Sequence, residues 1–130
     1  MTVGLSATGL ANKWLDMLGG TAFSAPSNTY VKLHTGDPGS AGASNASANT
    51  TRVVLAWSAA SAGSKAITAT LPSWATWAAG SETISHISIW DNLTAGNFLA
   101  SVALASSKPM TNGDTLNLTA LTAAHSPIAA

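Results

Sequence analysis

The chain has 130 residues, with five basic and five acidic side chains that cancel to a net charge of zero. Charged residues make up 8% of it, against about 25% in a typical soluble domain, while apolar residues reach 46%. This balance excludes an electrostatic grip on nucleic acid or anionic lipid, and it excludes disorder, which goes with few apolar and many charged residues.

The length suits one domain, residues 1–130. Cysteine is absent, which rules out disulfides and thiolate metal sites. Met1 to Leu5 (MTVGL) lack the basic-then-apolar order of a signal peptide, and no apolar run reaches membrane-spanning length. Synthesis in a cytoplasm without export is the expectation. Polarity comes from Ser, Thr, Asn and Gly, which hydrate a surface but provide little repulsion between copies. So neutral a chain points to a subunit that lives packed against neighbours.

A short helix is predicted over residues 5–18, where Leu5, Leu10, Trp14, Met17 and Leu18 recur at near-helical spacing. Ser6 or Thr8 can cap its start, and Gly19-Gly20 closes it. The period then changes to two. Residues 28–35 (NTYVKLHT) alternate, with Tyr30, Lys32 and His34 on an outer face and Val31 and Leu33 on the inner one. Gly36-Asp37-Pro38-Gly39 is a turn, and the small polar run at 39–51 predicts a long exposed loop.

Further strands are predicted at 51–59 (TRVVLAWSA) and 65–71 (KAITATL), where Pro72 ends the pairing. Residues 73–80 (SWATWAAG) read as an irregular connection carrying Trp74 and Trp77. Residues 83–91 (TISHISIWD) are the clearest strand, followed by strands at 98–105 and 115–121. Turns fall at 92–97 and at 108–114, the latter marked by Asn112-Gly113. The tail, 122–130, holds Pro127 and Ile128 and shows no period. The fold class is mainly β: an antiparallel β-sandwich or jelly-roll-like domain over 28–121, with one short N-terminal helix.

Taken in order, a short helix, TYVKLHTGDPG, an Ala/Ser/Asn-rich loop ending in TTR, ISHISIWD, TAGNFL and NGDTL resemble a known family. It comprises short virion structural proteins of actinobacterial and other tailed phages, described as tail fibre or minor tail proteins. Related subunits are described as capsid decoration or minor capsid proteins. The resemblance spans about residues 5–121, and its anchors are Leu33 to Pro38 and His86 to Asp91. It implies a structural role on the virion, assembled in the host cytoplasm, and brings no catalytic residue with it.

The residues themselves agree. His34 and Asp37 are explained by a turn, His86 by a strand neighbour, and His125 stands alone in the tail. No paired ligands at metal spacing, no Gly-x-Ser-x-Gly and no phosphate loop occur, and Glu82 is the single glutamate. No catalytic, cofactor or metal site is expected. The remaining candidates are contact residues: Leu10, Trp14, Met17 and Leu18 on the helix, and Trp74 and Trp77 in the connection. For the tryptophan pair, core packing, subunit contact and sugar stacking are the three readings, in that order. The expected partners are other virion proteins (major capsid or tail proteins) and further copies in a homo-oligomer, with neither nucleic acid nor membrane. A receptor- or glycan-binding fibre tip, with host glycan as partner, is the alternative.

Overall fold

A computed structural model of the chain describes residues 3–68 and 70–126. Pro127 and Ile128, assigned to the tail, lie outside the described residues. The helix forms in two pieces over residues 7–18 of the predicted 5–18, Leu5 being drawn instead into a bridge with Ala100. A single π-turn, Ala7–Ala11, runs into α1, Asn12–Leu18. Ser6 Oγ accepts from the Gly9 amide, so Ser6 is the cap. At the other end Gly20 takes a φ of 85°, a conformation that glycine adopts at little cost.

Among the described residues eight strands follow, all pairing antiparallel. β1 (Thr29–His34), β2 (Val53–Leu55), β5 (Glu82–Trp90) and β6 (Phe98–Met110) form one sheet in the order β2-β1-β5-β6. β3 (Ser64–Ala66) pairs with β8 (Thr122–Ala124), and β4 (Ser73–Trp74) with β7 (Leu116–Asn117). The alternation in β1 and β5 sorts the large sheet into two faces. Val31, Leu33 and Ile87 face the core, where Trp74, Trp77 and Leu116 cover them from the far layer. The mainly-β reading with one short helix is therefore correct, with strands divided four, two and two.

Several boundaries differ from expectation, each for a physical reason. β6 runs through Lys108-Pro109, which the turn signal had claimed. It does so as the outer strand of its sheet, where a proline's missing donor costs no ladder bond. Its register also shifts: Ile84 lies opposite Lys108 but His86 opposite Ala103, so β6 bulges between these points. β8 lies in the tail that showed no period. Its side chains are all exposed, so it has no apolar alternation to show. Strands predicted at 51–59, 65–71 and 115–121 shorten to two or three residues.

The loop after β1 departs most. Most of the 39–51 run is exposed as expected, yet it folds back over the polar face of the sheet and buries Gly39, Gly42 and Ser47, with Pro38 of the turn before them. Its base is tied by main-chain bonds from Thr35 N to Asn45 O (2.8 Å) and Ser47 N to Leu33 O (3.1 Å). Gly42 sits at φ 68°, and a Cβ there would lie 2.3 Å from the Phe98 ring. Only glycine lets the loop approach this closely. Gly42→Ala is expected to destabilise the protein by about 2 kcal/mol, from overpacking and a strained φ together. Urea unfolding measures it; an unchanged midpoint would mean that the loop does not rest on Phe98.

Candidate contact surfaces and the buried polar network

Helix α1 stands out because it buries none of its residues. Leu15, Met17 and Leu18 are 65%, 51% and 81% exposed, and Leu5 just before the helix is 53% exposed. Leu10 and Trp14 are half-buried. Trp14 meets His125 edge-on at 4.8 Å, which fastens the helix to the residues after β8. The segment leading into the helix is held more firmly. Ser6 N donates to Leu99 O and Ser101 N to Gly4 O, adding a short edge pairing to β6. The helix is thus anchored at its root and presents an apolar flank. Beside it runs an apolar cleft of about 440 Å³, lined by Leu5, Trp14, Trp57, Val102 and Leu121 among others.

Trp74 and Trp77 answer differently. They are 3% and 1% exposed, within the core. Their indole N–H groups donate to Thr51 O (2.9 Å) and Gly80 O (3.0 Å), so the polar atom of each is satisfied internally. Core packing, the first of the three readings for this pair, is what their burial shows, and the contact role is corrected: neither presents a face to a partner subunit or a sugar ring. Their place in a predicted connection had left all three readings open. A two-stranded ladder and the turn at Asn112-Gly113 instead fold them inward, with Gly113 N donating to Trp77 O at 2.8 Å.

The polar face of the sheet holds a histidine that sequence reasoning placed outside. His34 is fully buried under the 36–47 loop. Its Nδ1 lies 2.8 Å from Ser44 O, a group that only accepts, so Nδ1 carries the proton. Its Nε2 lies 2.7 Å from Ser88 Oγ, which also accepts from Trp90 Nε1 at 2.8 Å. Burial holds the imidazole neutral at pH 7, and with its proton on Nδ1 the Nε2 accepts from the Ser88 hydroxyl. A serine beside a histidine is the beginning of a nucleophile pair. Here the serine is fully buried and the second nitrogen is spent on a main-chain carbonyl. The pair acts as a clamp that holds the loop on the sheet. Glu82 grips the loop's far end, accepting from Ser47 Oγ and from Ala48 N (3.1 Å).

Charges at this face are few and shaped by neighbours. Burial lowers the His34 pKa from its ordinary 6.5, and the nearby Lys32 and His86 push the same way against the Ser44 bond. Lys32 is lowered by burial and by Arg52. Arg52 lies 4.0 Å over the Trp90 ring and donates to Asn92 O and Ala95 O, fixing the turn that follows β5. Asp91 is raised by burial but lowered overall by hydrogen bonds from Asn97 and by Lys13. Among the described residues no three His, Cys, Asp or Glu side chains gather as metal ligands.

Residues 5–124 match the family model of the podophage GP4 fiber I protein gp80. The chain belongs to this family. No curated protein matches it. The matched span takes in the helix, the eight strands of the described residues and the clamped loop. Membership makes the chain a phage fibre-type structural protein of a tailed-phage virion. No helix among the described residues is long and apolar enough to cross a membrane.

The clamp has a pH signature. Because the folded His34 pKa lies below 6.5, the unfolded chain binds a proton that the native state refuses. Stability is full above about pH 7 and falls as pH drops through 6.5 towards the folded value, levelling below it. Urea unfolding across this range is expected to show that fall, and His34→Gln to flatten it. An equal slope in the variant would mean that His34 plays no part.

Proposed function

We propose that this gp80-family chain is a small accessory subunit of the virion that works without catalysis, by adhesion between folded surfaces. Its docking element is α1. The observation that carries this reading is a helix with no buried residue and three strongly exposed large apolar side chains, on a chain with almost no charge. Covering Leu15, Met17 and Leu18 on a partner would contribute on the order of 1.5–3 kcal/mol each. That is enough to favour a site repeated on an assembled surface, and binding only the assembled state would stabilise that state.

The partner is another virion protein. The fibre family supports a position on the tail rather than the capsid, so of the two surfaces expected at first we favour the tail over capsid decoration. Self-association into a symmetric oligomer fits the same neutral surface.

Leu15→Asp with Leu18→Asp tests the helix. Both side chains are exposed, so folding and thermal midpoint are expected to stay near the parent's. Rebinding to phage particles lacking the chain is expected to fall at least tenfold, read as the amount that co-sediments. Full rebinding by a folded double variant would overturn the docking role of α1.

A further inference from the structure

A second surface, apart from the apolar flank of α1, has different chemistry. A cleft of about 370 Å³ opens where the N-terminal segment, the tip of the 36–47 loop and the turn after β5 converge. Its lining includes Ser6, Thr8, Lys13, Ser40, Trp90 and Asn97. The volume lies at the small end of ligand cavities, which run about 300–1,000 Å³, and has room for one sugar-sized ring.

Each lining group leaves something to offer. Ser6 Oγ accepts from Gly9 N at 3.0 Å, so its own hydroxyl proton is free to donate. Thr8 and Ser40 are exposed hydroxyls, and Lys13 is an exposed ammonium. Trp90 turns its N–H inward to Ser88, has Arg52 over its ring and Phe98 tilted against it at 5.7 Å, and lines the cleft with ring carbon beside Phe98. Asp91 oxygens are taken by the Asn97 main-chain and side-chain N–H groups, each at 2.7 Å. This leaves the Asn97 amide oxygen as an acceptor. Lys13 is the one charged side chain in the lining, and behind the cleft Asp91 interacts with both Lys13 and Arg52, two cations against one anion.

Hydroxyls in number, an amide oxygen, an indole and one free ammonium suit a ring that is polar at its edge, apolar on its face and anionic. We propose that this cleft binds a single acidic sugar unit, a polyhydroxylated ring bearing a carboxylate. Lys13 takes the carboxylate, Thr8, Ser40 and Asn97 take ring hydroxyls, and Trp90 meets the C–H face. One ring in so small a cleft gives a Kd on the order of millimolar.

The purified chain, labelled with ¹⁵N, is titrated with glucuronate, glucose, acetate and inorganic phosphate while the Trp90 indole N–H and the Gly9 and Gly96 amides are followed. Glucuronate is expected to shift all three saturably, with glucose at least tenfold weaker and the two small anions weaker still. Lys13→Ala is expected to weaken glucuronate about tenfold, and Ser40→Trp, which fills the cleft, to abolish binding, both without loss of thermal midpoint. No saturable shift with glucuronate would overturn the proposal. So would glucose binding equally, which removes the charge, or acetate or phosphate binding equally, which removes the sugar. Unchanged affinity in a folded Ser40→Trp variant would place any binding elsewhere.

Discussion

The pairing of β1 with β5 is the constraint on which the rest of the molecule depends. Its register runs from Tyr30 opposite Trp90 to His34 opposite His86. Successive side chains alternate across it, so it has two faces with unrelated tasks. On one, Val31, Leu33 and Ile87 are sealed from solvent, each worth roughly 1.5–3 kcal/mol of burial. On the other, His34 bonds Ser88 and the loop that covers them both. A slip of one residue would exchange the faces, sending Lys32 and His34 into the core. Two kinds of interaction, apolar burial and a buried hydrogen-bonded chain, therefore enforce one register.

That ladder also arranges the surface. The clamped loop, with Gly42 against Phe98, supports the start of β6. The same stretch of β6 holds the N-terminal segment through Gly4 and Ser6. From this fixed root α1 projects with its apolar flank uncovered. A rigid base and an unpartnered helix suit a subunit whose binding must not depend on refolding. The sealed serine and histidine fit the same account. They serve structure, and the fibre family to which the chain belongs is a structural one.

What the sequence disclosed followed from how regular each local pattern was. β1 and β5 were legible almost to the residue because Val31 and Leu33 alternate with polar residues and Ile84, Ile87 and Ile89 recur among polar ones, with one break of period where β6 bulges opposite Ile84 and His86. The helix was legible from Leu10, Trp14, Met17 and Leu18, with Ser6 as its cap. β8 was hidden because Thr122 to Ala124 carry no apolar contrast. The end of β6 was hidden because Lys108-Pro109 carries turn chemistry, and only the outer position of the strand makes Pro109 harmless. The inward fate of Trp74 and Trp77 depended on pairings with residues some forty positions away, which no local window contains. His34 was misplaced because its cover is main chain from a polar loop. The available signal was the small residues of that loop, Gly39 and Gly42, which permit close approach where bulk would forbid it.

The central claim is that this chain works by covering the apolar flank of α1 on another virion protein. An electron cryo-microscopy map of the intact particle tests it most directly, by locating the chain and reading what lies against the helix. Leu15, Met17 and Leu18 are expected to lie buried against a neighbouring subunit at a position on the tail. A map in which the chain is present with that flank open to solvent, and held by some other face, would contradict it.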